Sequence, residues 1–371
     1  MDSSSTALKD TLFGAARFQH VAREISRVEK QFDSTRFLAL ALRDLDSLEL
    51  KQRLRRMTES FHAALPGADA DYRKTLDTLR AIAANIGRDA AALMMPDYVG
   101  LYGSDRPADF DISMDALRFF TPFCSSEFAV REFIKRDQPR ALAIMETWAR
   151  DPDEHVRRLA SEGSRPRLPW SFHLDALVKN PDPVAPILET LKADPSLYVR
   201  KSVANHLNDI TKDNPAWVLD RLATWPLDNE RTAWIAKHAL RTLVKKGDRR
   251  ALAMFGAGEK ARVRVDEFLI SPRTLELGTR LTFFVTLTST AKEEQRLVVD
   301  YAMHYVKSAG QTTRKVFKLR TLALAPGETT TLTRSQIIKD FSTRTHYAGR
   351  HEIEILVNGD CLARDYFMLK T

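Results

Sequence analysis

From the N-terminus to about residue 260, apolar residues recur three and four positions apart, the signature of amphipathic helices. In "RFLALALRDLDSLELKQRLRRMTESFHAAL", Leu38, Leu42, Leu45 and Leu48 are followed by Leu54, Met57 and Phe61 at that spacing. "DYRKTLDTLRAIAANIG" repeats it with Leu76, Leu79 and Ile82 and stops at Gly87. Pro66, Pro96, Pro122, Pro139, Pro152, Pro195, Pro215 and Pro226 fall between such segments and punctuate them into many short helices.

After Val263 the period shortens. Ile353, Ile355 and Val357 alternate with Glu352, Glu354 and Leu356, and Asn358-Gly359 marks a hairpin turn. β-branched and aromatic residues dominate about seven such runs in about 105 residues, which predicts an immunoglobulin-like β-sandwich. The change falls in "GAGEKARVR". The expected organisation is a helical domain over 1–258, a linker over 259–264 and a sandwich over 265–371.

The helical part contains an internal repeat. "DPDEHVRRLASEG" begins at Asp151 and "DPSLYVRKSVANH" at Asp194, a period of 43 residues. Each Asp is expected as an N-cap, each Pro at the first helical position, with a Val stripe packing on the helix before. A weaker third copy surrounds "DNERTAWIAKHALRTLVKKG". The period is that of HEAT-type helical pairs, which stack into an α-solenoid whose concave face is lined by the second helix of each pair.

The second repeat raises a question. Val199, Val203, Leu207 and Ile210 form a core stripe, but Lys201, Asn205, Asn208, Asp209 and Lys212 gather on another face. A polar face can simply be solvated; it can also line a site. Two further places carry candidate chemistry. In "CSSEFAVREFI", Ser125 or Ser126 can cap a helix and put Glu127 in its first turn, where a carboxylate is favoured in any case. In "RRLASEGSRPRLPW", Arg157, Arg158, Arg165 and Arg167 surround Glu162, and the stretch ends on Trp170. Read plainly, this is a helix end with a capping Gly163 and a basic loop. Read functionally, the arginines hold phosphates while Glu162 and Trp170 face the same space.

Charge sharpens the choice. The net charge is +8, and Arg231 to Arg264 alone holds ten Lys and Arg against Asp248 and Glu259, a local 10 − 2 = +8. Such a field, with His238, Arg241, Lys245 and Lys246 in its midst, favours a polyanion, most simply nucleic acid. At 371 residues and 44% apolar, the chain can bury the cores of two or three domains. Cys124 and Cys361 form no disulfide framework and no metal spacing, and no leader or membrane-spanning run is visible. A soluble protein of the reducing cytoplasm is expected. No phosphate-binding glycine loop, HExxH, paired-cysteine zinc pattern or nucleophile elbow occurs, so chemistry here would rest on carboxylates, aromatics and arginine, without metal or cofactor.

"RRLASEGSRPRLPW" and "LYVRKSVANHLNDITKDNP", with "SSEFAVREFI" before and "WIAKHALRTLVKKG" after, resemble the AlkC-type DNA glycosylases of the HEAT-like-repeat superfamily. The resemblance runs from about Leu8 to Gly258, and many AlkC-type proteins also carry an immunoglobulin-like domain at the C-terminus. It implies excision of small cationic N-alkylated bases, such as 3-methyladenine and 3-methylcytosine, from double-stranded DNA. It implies no cofactor and no deep base-flipping pocket. It also implies that Glu127, Glu162, Trp170 and Asp209 form the catalytic cleft with Arg158 beside them. The arginines, Lys201, Asn205, Asn208, Lys212 and the basic segment would hold the backbone. The AlkD-type sister group carries Trp where His238 aligns and Arg at Arg241. Duplex DNA requires no second subunit, so a monomer is expected. The competing reading, a HEAT-like scaffold that binds nucleic acid or protein without chemistry, accounts for the repeats and basic segment but not for three acids and a Trp on one basic face.

Overall fold

The computed structural model describes residues 3–341 and 344–371, with side chains from Leu8 onward. The chain divides into two units. One runs to Val218 and takes in Trp225–Ala239; the other holds Leu219–Thr224 and Leu240–Thr371. All regular structure of the first is helical, in HEAT-like pairs; the second carries two short helices, Arg241–Lys245 and Arg249–Ala253, and the immunoglobulin-like sandwich.

In the first unit the helices Glu154–Gly163, Leu197–Ile210 and Glu230–Ala239 lie side by side, with Gln138–Trp148 and Ala185–Leu191 packed behind. Val199, Val203, Leu207 and Ile210 are fully buried, as their spacing predicts. The opposite face differs from expectation. Lys201 and Lys212 are exposed and Asn205 half-buried, but Asn208 and Asp209 are buried. The cause is the layer itself: the helix is flanked on both sides, so a polar stripe becomes an interior seam. Asn208 Nδ2 donates to the Ala239 carbonyl at 2.7 Å, so Asn208 ties two helices together.

The repeat motif also works differently. Asp153 and Ser196 cap the two helices, accepting from the backbone N–H of His155 at 2.7 Å and Tyr198 at 3.2 Å. Asp151 and Asp194 stand two residues earlier. They accept from the N–H of Asp153 (2.9 Å) and Ser196 (2.8 Å) and take a guanidinium from the preceding repeat. Arg118 reaches Asp151 at 2.8 Å and Arg157 reaches Asp194 at 2.7 Å. A charged donor is the stronger partner, so each Asp bridges repeats and leaves capping to the residue after Pro. Arg157 and Arg200 occupy equivalent posts, donating to the two carbonyls of their own Asp-Pro at 2.9 Å and 2.8 Å respectively.

The sandwich has eight strands, not seven: β1 (Val263–Ser271), β2 (Thr274–Glu276), β3 (Arg280–Ser289), β4 (Gln295–Val306), β5 (Thr312–Leu324), β6 (Thr329–Ile337), β7 (Gly349–Val357) and β8 (Asp360–Lys370). One sheet runs β1-β3-β6, the other β2-β8-β7-β4-β5. β2 is three residues long, too short to show a period, and pairs parallel with β8. Leu281, Phe283, Val285 and Leu287 of β3 point into the shared core, while Thr286 and Thr288 on its outer face pair across to Thr331 and Thr329 of β6. Asn358 (φ 48°) and Gly359 (φ 86°) make the tight β7–β8 turn, whose two positive φ values explain the Asn-Gly pair. That turn also anchors the linker, because Asn358 donates to the Glu259 carbonyl at 3.1 Å.

Breaking an inter-repeat rung should loosen the helical unit. Asp194→Asn leaves the half-buried Arg157 guanidinium short of its counter-charge, and the expected loss is about 2 kcal/mol. Urea unfolding followed at helical wavelengths measures it, and an unchanged midpoint would contradict the bridging role.

Candidate active site

Three acids come from three successive repeats. Glu127 sits in the turn before helix Val130–Arg136, Glu162 ends helix Glu154–Gly163 and Asp209 ends Leu197–Ile210. Two arginines interleave with them. Arg158 donates to Glu127 Oε2 at 2.6 Å and lies 3.5 Å from Glu162 Oε1. Arg165 donates to Glu162 Oε1 at 2.6 Å and to Asp209 Oδ2 at 2.8 Å. Lys212 closes the row on Asp209 Oδ1 at 2.8 Å. Side-chain exposure falls along the row from 16% at Glu127 to 5% at Asp209, so Glu127 is its open end. Burial works against the charge on Arg158 and Arg165, but the flanking carboxylates outweigh it and hold both guanidinium pKa values above the ordinary.

Two hydroxyls complete the row. Ser125 Oγ donates to Glu127 Oε2 at 2.9 Å and accepts from Arg158 at 3.1 Å. Ser202 Oγ donates to Glu162 Oε2 at 2.5 Å. The Tyr198 ring centroid lies 4.8 Å from the Arg158 guanidinium carbon.

The loop carrying Arg165 and Trp170 is held from beneath by Arg131. This fully buried guanidinium donates to the carbonyls of Gly163 (3.0 Å), Arg165 (2.6 Å) and Phe172 (2.5 Å). Burial, with Arg165 nearby, pulls its pKa down to about 10. Gly163 is needed for closeness, not for capping: a Cβ there would lie 2.4 Å from Val130 Cγ1. Trp170 adopts a φ of 66°, stands 72% exposed, and its carbonyl accepts from Lys51. It also lines a cleft of about 520 Å³ with Phe128, Phe172, Leu54 and Ser125.

The structure thus brings Glu127, Glu162, Asp209, Arg158 and Arg165 into one row. It alters the expected role of the arginines. Arg157 is spent on Asp194, Arg165 on Glu162 and Asp209, and Arg167 pairs with Asp213 at 2.6 Å. Arg157 and Arg165 are braces, not phosphate clamps. The sequence showed four arginines around a lone Glu162 because their other acids lie 31 to 46 residues away. Lys201 and Lys212 remain exposed. His238 stacks on Trp234 with centroids 3.7 Å apart. Arg241, Lys245 and Lys246 are exposed in the second unit. Arg131, Tyr198, Ser202 and His206 escaped the sequence reading, and Ser125 was read only as a helix cap. Among the described residues, His304, Glu352 and Glu354 of the sandwich have the spacing of metal ligands. Arg314 (2.8 Å) and Arg364 (3.1 Å) already hold Glu354, and two guanidiniums there oppose a cation.

The family model described as a DNA alkylation repair enzyme matches residues 121–243, which include all three acids and Trp170. Residues 264–371 match the C-terminal Ig-like domain of the uncharacterised protein YhaZ. The chain is 49% identical to Pseudomonas fluorescens alkylpurine DNA glycosylase AlkC, solved bound to DNA containing an abasic site analog; the TM-score is 0.93 over 98% of this chain and 99% of that one. It is also 42% identical over 330 residues to the uncharacterized protein YhaZ of Bacillus subtilis (strain 168), covering 89% of this chain and 90% of the relative. The chain belongs to the AlkC family of DNA glycosylases.

His206 lies buried beside the row, its Nδ1 2.9 Å from the Ser161 carbonyl. Burial, with Arg165 adding, lowers its pKa from 6.5 to about 3. The unfolded chain therefore binds a proton that the folded one refuses across that window, and stability should fall with pH there by about 1.4 kcal/mol per unit. Denaturant midpoints of wild type and His206→Gln at neutral pH and at about pH 5 test this. The wild type should lose more on acidification; equal losses would contradict it.

Proposed function

We propose that the chain is a monofunctional DNA glycosylase that hydrolyses the N-glycosidic bond of cationic N-alkylated bases in duplex DNA, opening base excision repair. 3-Methyladenine and 3-methylcytosine are the substrates it should take. The observation that carries this reading is the row of three acids from three repeats, braced by Arg158 and Arg165.

A cationic N-alkyl base is already a good leaving group. As the bond from C1′ to the base nitrogen breaks, its electron pair neutralises the base and positive charge passes to the deoxyribose. What the enzyme must supply is negative potential at the sugar, and positioned carboxylates supply it, as in glycoside hydrolysis. Three bare acids would repel the phosphates that must approach. Pairing each with a guanidinium cancels the field at a distance and keeps it within a few ångströms. Glu127, at the open end, orients the water: the water oxygen bonds C1′ and its proton passes to Glu127. Glu162 and Asp209 supply field. The exposed face of Trp170 lies against the cationic base, where its π electrons favour positive charge. Exposed Lys201 and Lys212 lie where they can meet phosphates. One chain suffices for this chemistry, and we assign it to the cytoplasm with the DNA; among the described residues no helix is long and apolar enough to cross a membrane.

Single-turnover release from duplexes carrying 3-methyladenine, 3-methylcytosine or 7-methylguanine tests the proposal. Wild type should release the 3-methyl bases, and Glu162→Gln should slow release by about 100-fold with DNA binding retained. Tight binding with no release by either protein would make the chain a scaffold.

A further inference from the structure

Arg158 reaches Glu127 through one terminal nitrogen at 2.6 Å and Glu162 through the other at a looser 3.5 Å, and these two contacts leave the face of its guanidinium free for a further partner. That partner is an aromatic ring the site has not yet used. Tyr198 is the second residue of helix Leu197–Ile210, the same helix that ends on Asp209. Its ring lies under the Arg158 guanidinium at 4.8 Å and meets the His155 ring edge-on at 5.4 Å. It stays 39% exposed, on the same helix stripe as Lys201 and Asn205.

We propose that Tyr198 is a positioning residue for the glycosylase reaction: its ring is the platform that holds Arg158 level with Glu127 and Glu162 and so sets where the two carboxylates point. This rests on the glycosylase reading above. The physical basis is direct. A guanidinium over an aromatic face is held by the ring quadrupole and by flat contact, and partial burial strengthens both. Without the ring, Arg158 has room to drop toward the helix, and Glu127 loses the charged donor that orients Oε2. In this role the ring acts through Arg158 and not on the reacting atoms. His155 is the ring's other neighbour, so the platform is fixed from two sides.

The role separates cleanly from one of general packing, because the face of the ring and not the hydroxyl is what Arg158 uses. Tyr198→Phe keeps the platform, while Tyr198→Leu fills much of the space without it. Single-turnover release of 3-methyladenine at saturating enzyme and the Kd for abasic-analogue duplex are measured for both, and again with Arg158→Gln added. The expected result is a rate constant lowered about tenfold in Tyr198→Leu, nearly restored in Tyr198→Phe, with Kd changed less than rate. In the Arg158→Gln background the same leucine change should have no further effect. The proposal fails if Tyr198→Leu cuts as fast as a wild type that does cut, if phenylalanine does not rescue, or if the leucine penalty persists without Arg158. A wild type that cuts nothing sinks the glycosylase reading and this proposal with it.

Discussion

The alternation Glu127, Arg158, Glu162, Arg165, Asp209, Lys212 is the constraint on which the rest depends. Taking the first five of these charged groups largely out of water, with Lys212 left exposed at the end, is costly, and their mutual attraction at best offsets that cost. The row is therefore poor evidence for stability and good evidence for orientation. Each guanidinium reaches two acids on different repeats, so no acid can rotate without unbalancing its neighbour. The helices must stack in one register for the row to form, and the row resists any other register.

Two sets of braces hold that register. The Arg118–Asp151 and Arg157–Asp194 rungs repeat along the stack and lock one helical pair to the next. Arg131 does the other part. It lies four residues after Glu127 and grips the carbonyls on either side of Trp170, so the turn with the first acid and the loop with the indole are fixed by one side chain. A buried guanidinium held by three carbonyls and the Phe172 ring, with no carboxylate partner, is unusual, and it suits a place where such a partner would add a fourth acid to the cleft. Gly163 lets helix Glu154–Gly163 come near enough to Val130 for Arg131 to reach.

Much of this was legible from the residues. The stripe Val199, Val203, Leu207, Ile210 predicted its helix, and the alternation in β7 with Asn358-Gly359 predicted a strand and its turn. What failed to show was long-range. A helical wheel puts Asn208 and Asp209 on a polar face, but whether neighbours cover that face depends on other repeats. Arg131 reads as a surface arginine, since its acceptors lie 32 to 41 residues on. Asp-Pro looks like a cap until Arg118 and Arg157 arrive. The three acids were reachable because a family resemblance pointed to them; periodicity alone left Glu127 as an ordinary first-turn carboxylate.

On the proposed reading the braced acids recognise positive charge on the sugar. The most direct measurement compares affinity for two duplexes, one with a cationic pyrrolidine in place of the damaged nucleoside and one with a neutral tetrahydrofuran. Transition-state complementarity predicts that the wild type prefers the cationic duplex by about 100-fold or more. The preference should vanish in the Glu162→Gln, Asp209→Asn double variant, while the neutral duplex is bound as before. Equal affinity of the wild type for both duplexes would rule out recognition of charge on the sugar.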